Sequence, residues 1–206
     1  MIRDMTRGNV TRHLVGFSVP IILGNLFQLA YNAVDSIVVG RFAGTGALAA
    51  VGTANPVMNI IILGVSGLCI GASVLMSEYF GARDTEKLRR EFAATLFLGL
   101  FFSAAVLALG LPLAGPLLRL IFGSVEPEVM ADAESYFFYT GLSYPFIALY
   151  NTAAAVYRSE GNSRLPMGVS MTGNLMNIVG NAILIFAAGM GIAGAGLATL
   201  ISRIFI

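Results

Sequence analysis

Cysteine occurs once in this chain, at Cys69, and histidine once, at His13. A single thiol excludes a disulfide framework within the chain, and no Cys/His cluster has metal-ligand spacing, so zinc and haem sites are excluded with it. Lysine is as scarce, with Lys87 alone, and charged residues of both signs make up only 11% of the 206 residues. Ordinary soluble domains carry about a quarter. Twelve Lys and Arg against eleven acids leave a net charge of +1, so there is no basic excess to hold nucleic acid. What is present instead is apolar: 57% of the residues are hydrophobic and the mean hydropathy is +0.82, the composition of a membrane protein.

The first residues, MIRDMTRGNVTRH, are polar. The apolar run after them is too long for a signal-peptide core and has no small-residue cleavage site behind it, so it reads as a retained span. A span needs about 20 mainly apolar residues. Segments of that kind recur at roughly 13–40, 48–80, 92–111, 129–157, 166–188 and 192–206, the last of them incomplete, which predicts an all-α bundle of about six transmembrane helices. Turn formers or charges punctuate the connections, as in GRFAGTG, GARDTEKLRRE and RSEGNSRLP. Pro127 and Pro166 fall just inside predicted helix starts, where a missing N–H is harmless.

Lys and Arg in short loops tend to stay cytoplasmic. Arg3, Arg7 and Arg12 precede the first span, Arg83, Lys87, Arg89 and Arg90 follow the second, and Arg158 and Arg164 follow the fourth. Only Arg41 and Arg119 lie in the alternate loops, so a cytoplasmic N-terminus is expected. Arg203 falls inside the last apolar segment and has no role in this scheme. The sequence stops at ISRIFI, which reads as an unfinished span: a fragment of a longer protein, or a half that a partner completes.

If the first helix runs outward to Arg41, Asp35 lies six residues, roughly 9 Å, below its outer end, inside the hydrocarbon. A charge there costs at least ~2.5 to 3.5 kcal/mol on insertion scales, so it is expected to face the protein interior. Asn25, Gln28, Asn32 and Asp35 are spaced 3, 4 and 3 and share one face. Asn174, Asn177 and Asn181 share a face of the fifth helix, and Thr199, with Ala195 one turn above it, lies on the sixth. Helix rise puts Asp35, Asn177, Asn181 and Thr199 at similar depth, roughly 9 to 12 Å below the outer surface. This all-oxygen set suits a hard cation such as Na⁺. A desolvated carboxylate takes up a proton more readily, so H⁺ fits as well. The plainer alternative is that these amides and hydroxyls only bridge helices.

Asn55, Asn59, Ser66 and Ser73 make a polar face on the second helix, and Tyr136, Tyr139, Ser143, Tyr150 and Tyr157 a stripe on the fourth. Aromatic faces can hold organic cations. The candidate lining of a substrate cavity is therefore Gln28, Asn32, Asn55, Asn59, Tyr139 and Asn174. Pro20, Pro56 and Pro145 interrupt helices and free carbonyls, as the broken helices of transporters do. Pro20 precedes Asp35 by fifteen residues on the same helix, which makes it the candidate bend. The GVSG at Gly64 to Gly67 is the pattern around an intramembrane serine nucleophile, but His13 and Lys87 lie too far away to activate it, and an enzyme is not expected.

These residues resemble the multidrug and toxic compound extrusion (MATE) family along the whole chain, as its N-terminal lobe. The likeness is carried by VPIILGNLFQLAYNAVDSIVVGRFAGTGALAAVG, EYFGARDTEKLRR, YRSEGNSRLPM and NIVGNAILIF together, and is nearest the bacterial branch of DNA-damage-inducible F-type transporters. The resemblance implies a cation site at Asp35, Asn177, Asn181, Ala195 and Thr199, with Asn181 standing where many members have an acid. It implies twelve helices in two lobes, a drug cavity between them, and a second lobe in a longer chain or another subunit. The expected function is a Na⁺- or H⁺-coupled multidrug antiporter of the bacterial cytoplasmic membrane, exporting organic cations or amphipathic compounds and needing no further cofactor. A lipid-linked precursor flippase of the same superfamily is expected to have a more basic cavity, whereas no Lys or Arg lies mid-span in the first five helices. A non-transporting membrane module is the remaining alternative.

Overall fold

The computed structural model describes residues 10–123 and 126–206, without the side chains of residues 10, 12, 35, 42 and 122. Arg3 and Arg7, on which the expected orientation partly rests, lie outside the described residues. Helix α1 covers Val10–Phe42, α2 Gly44–Gly81 and α3 Thr85–Phe122. Then come α4 (Pro127–Gly141), α5 (Tyr144–Ser159), α6 (Arg164–Asn181), a π-helical segment Ala182–Ala187, and α7 (Gly191–Phe205). No strand occurs among the described residues.

Four stretches are long and apolar enough to cross a bilayer: His13–Arg41, Gly44–Gly81, Thr85–Ile121 and Arg164–Ala187. Helices α2 and α3 have 38 residues each. At 1.5 Å per residue they are roughly 57 Å long, well beyond a hydrocarbon core of ~30 Å. Polarity runs inside out compared with a soluble bundle. Leu29, Ile60, Phe97, Leu120 and Phe186 are exposed, while Asn174, Asn177, Asn181, Ser103, Thr140 and Thr152 are buried. In lipid this order is favourable, because apolar side chains lose nothing by facing acyl chains and polar groups need protein partners.

Three boundaries differ from the expected ones. The third helix is longer at both ends than 92–111. Asp84 caps its start by accepting the Lys87 N–H at 3.0 Å, which lets the charged TEKLRRE join the helix, and it continues through Pro112 and Pro116. Asp84 also pairs with Lys87 Nζ at 3.0 Å. The backbone hydrogen bond first, then the ammonium, hold its carboxyl below the ordinary range.

The fourth helix, expected as 129–157, is two helices that break at Leu142 and Ser143. Pro145 has no N–H to continue the ladder and disfavours helical geometry at Tyr144 before it. Ser143 closes the end, its Oγ donating to Thr140 O at 2.6 Å. The fifth helix, expected as 166–188, starts two residues earlier and passes into the π segment after Asn181. It reverses into α7 through Gly189 (φ 65°) and Gly191 (φ 55°), conformations that glycine adopts without strain.

Helix α2 is central and packs on α3, α4 and α5, while α7 packs on α4 and α6. A buried cluster at the α1–α2 end contains Val39, Val51, Met58, Phe137, Ile185 and Ile192. Helix α1 lies mainly along α6. Glycines set the closest approaches: a Cβ on Gly180 would be 3.1 Å from Ala198 Cβ, and one on Gly196 would be 2.8 Å from Tyr139 Cβ.

Candidate functional site

Helices α1 and α6 run parallel and in step. Ser163 Oγ donates to Phe17 O at 3.2 Å, Asn174 Nδ2 to Gln28 Oε1 at 2.8 Å, and Tyr31 OH to Asn177 Oδ1 at 2.7 Å, each across a separation of 146 residues. The same offset puts position 35 level with Asn181. The Asp35 side chain itself lies outside the described residues.

Around Asn177 the expected residues meet. Its Oδ1 also accepts from Asn181 Nδ2 at 3.0 Å, and its Nδ2 donates to Thr199 Oγ1 at 3.0 Å. Thr199 Oγ1 in turn donates to Ala195 O at 3.0 Å, one turn back on α7. Asn177 and Asn181 are 2% and 1% exposed, so the hydrogen bond between them is buried, while those to Tyr31 and Thr199 border the cavity. Gly180, between them, lets α7 come close enough for the Asn177–Thr199 bond. One hydrogen-bonded chain thus links Tyr31, Asn181, Asn177, Thr199 and the Ala195 carbonyl, all of which carry oxygen. Such a set can ligate a hard cation once the N–H and O–H donors now on Asn177 Oδ1 turn away.

Next to this cluster lies a polar cavity of about 530 Å³. Gln28, Asn32, Asn55 and Asn59, four of the six candidate substrate-cavity residues, line it, and Gln28 Nε2 also donates to Asn32 Oδ1 at 3.3 Å. Asn174 lies behind the wall, buried and held by Gln28. Tyr139 is not in the lining: it packs on Gly196 of α7 and stacks edge-on against Phe138 at 5.6 Å. The fourth-helix stripe divides, with Tyr136, Ser143 and Tyr150, each seven residues from the last, facing the cavity.

Pro20 is buried within α1, which stays helical through it. The Ser163 hydroxyl attaches one turn before it, at Phe17 O.

Two residues of this region were missed by the sequence reading. Tyr31 stands four residues before Asp35, so the i, i+4 spacing was the available signal, but a lone tyrosine in an apolar run reads as core. Arg203 was noticed and left without a role; it lines the cavity one turn beyond Thr199.

Residues 20–183 match the MatE family. The chain is 31% identical over 201 residues to the probable multidrug resistance protein YpnP of Bacillus subtilis (strain 168), covering 97% of this chain and 44% of that protein. It is 29% identical over 205 residues to the probable multidrug resistance protein YoeA of the same organism, covering 97% and 43%. Among solved structures, the outward-facing conformation of a multidrug resistance MATE family transporter of the MOP superfamily superposes with a TM-score of 0.89 at 31% identity, covering 96% of this chain and 43% of that one. The chain therefore spans less than half the length of the relatives it matches.

Proposed function

Because the chain belongs to the MatE family, we propose that it forms the ion-coupling lobe of a two-lobed multidrug efflux antiporter in the bacterial cytoplasmic membrane. The lobe exports organic cations or amphipathic compounds against inward flow of Na⁺ or H⁺, with its N-terminus cytoplasmic and the second lobe supplied by a longer chain or another subunit. The observation that carries this reading is the Tyr31–Asn177–Asn181–Thr199 cluster, whose two asparagines are buried beside a polar cavity with Asn181 level with position 35.

A cation arriving from outside neutralises Asp35 and draws on the oxygens of Asn177, Asn181, Thr199 and Ala195. Tyr31 and Asn177 join α1 to α6, so a change in who holds the Asn177 oxygen alters how α1 is fastened, and Pro20 is where that helix bends most readily. Substrate in the cavity and cation in the cluster thereby compete through the position of α1.

The test is dye efflux under imposed Na⁺ and H⁺ gradients, with Asp35 intact or changed to Asn. Loss of gradient-driven efflux in Asp35→Asn is expected. Unchanged efflux would falsify the coupling role.

A further inference from the structure

Arg203 is the only charged side chain among the described residues that line the polar cavity. In the last turn of α7 it stands one helical turn from Thr199, and both residues line the cavity. Among the described residues it makes no ion pair and no hydrogen bond. An unpaired guanidinium within an apolar helix is unfavourable, and it offers five N–H donors in a planar fork.

On its other side Arg203 borders a second space of about 380 Å³, whose walls are apolar: Phe92 and Leu96 of α3, Phe146 and Leu149 of α5 and Val169 of α6. Only Tyr150 and Arg203 are common to both spaces. The Tyr150 hydroxyl is engaged with Pro166 O at 2.8 Å, which leaves Arg203 as the free polar group at the boundary.

A polar chamber, an apolar chamber and an unpaired guanidinium between them match one kind of molecule. We propose that the cavity binds amphipathic anions or zwitterions, with a carboxylate or phosphate held by the Arg203 fork and the hydrocarbon part in the apolar chamber between α3, α5 and α6. The bidentate geometry of guanidinium with either oxyanion supplies the specificity. This rests on reading the cavity as the transport site, and of the two substrate classes proposed above it sets aside organic cations and narrows the amphipathic compounds to those that carry an acidic group.

The experiment compares pyrenebutyrate with its uncharged amide, two probes with one apolar body, binding to the protein in phosphatidylcholine nanodiscs. Wild type is expected to prefer the acid by about tenfold or more, as a charge-assisted bidentate pair implies. Arg203→Gln is expected to abolish that preference while leaving amide affinity unchanged. Arg203→Lys, which keeps the charge and loses the fork, is expected to retain part of it and shows that the site is still folded. Equal binding of acid and amide to wild type overturns the proposal, as does an acid preference that survives in Arg203→Gln.

Adding phosphatidylglycerol to the nanodiscs separates the two sources of the anion. Displacement of pyrenebutyrate from wild type identifies a lipid headgroup as occupant. Undiminished binding identifies a soluble acid. Either result supports an oxyanion at Arg203. Ethidium efflux, run alongside, tests the transport reading by itself: efflux without acid preference removes the anion site and leaves transport, and acid preference with no efflux of any probe does the reverse.

Discussion

The phenol oxygen of Tyr31 lies 2.7 Å from the amide oxygen of Asn177, joining the first helix of the chain to the sixth. Asn177 Oδ1 also accepts the Asn181 amide, so one buried oxygen holds donors from two directions. The proposed ligand cluster and one of the three attachments of α1 to α6 therefore share the Asn177 oxygen.

Changing Tyr31 to Phe removes one of those donors and little volume. Stability in micelles, followed by denaturant titration, is expected to fall by about 1 kcal/mol, the net worth of one hydrogen bond. Asn177 Oδ1 is then less occupied, so gradient-driven efflux is expected to reach half-saturation at a lower coupling-ion concentration. An unchanged ion dependence argues that Tyr31 does not compete with the ion.

Replacing Asn181 by Asp puts a second acid level with position 35, where the family resemblance implies one in many members. Two like charges at one level cannot both be carried without cost. The pH profile of efflux in Asn181→Asp is expected to shift relative to that of the parent protein. Parallel pH profiles for the two proteins reject the idea.

Glycines separate cleanly by what surrounds them. A Cβ at Gly196 would stand 2.8 Å from the root of Tyr139, which cannot swing aside, so Gly196→Ala is expected to destabilise the α4–α7 contact by ~1 to 3 kcal/mol. At Gly71, in mid α2, nothing lies within 4 Å, and Gly71→Ala is expected to stabilise by roughly 0.5 to 1 kcal/mol through helix propensity. Thermal unfolding of the two variants in the same detergent checks both signs.

Asp84 gives a pH signature at the α2–α3 turn. Its carboxyl is held below the ordinary range by the Lys87 N–H and then by the Lys87 ammonium. A depressed folded-state pKa means that the contribution is full above the unfolded value, about 4, and is lost as pH falls through the folded one. Hydrogen exchange of the first turn of α3 is expected to quicken over that acid range in wild type and to be already fast, and flat with pH, in Asp84→Ala.

Much of the fold was legible because apolar runs long enough to span are hard to disguise. The boundaries were less so, for reasons specific to each. Hydropathy could not extend α3 over TEKLRRE, since what makes that segment helical is the Asp84 cap and the i, i+4 pair Glu86–Arg90. The expected 92–111 segment ends just before Pro112, through which the helix carries on, whereas Pro145, read as an interruption, does coincide with a break, since it has no N–H to offer the Gly141 carbonyl. Counting helix rise put Asp35, Asn177, Asn181 and Thr199 at similar depth, and the last three do lie along one run of hydrogen bonds. Tyr139 did not follow, since one face of a helix sees two neighbours once that helix is broken and α7 approaches through Gly196. Arg203 was visible, but a charge near the end of an apolar segment carries no address until the helices around it are placed.

The constant offset of 146 residues between Phe17 and Ser163, Gln28 and Asn174, and Tyr31 and Asn177 also limits how α1 can travel. Sliding along α6 by a single turn breaks all three attachments in the same instant, whereas peeling from one end breaks them one after another. Motion of α1 is then expected to be that of a zipper and not of a piston, opening from the end where an attachment is first released, with Pro20, just past Phe17, as the proposed tooth at which the opened part folds away from the part still held.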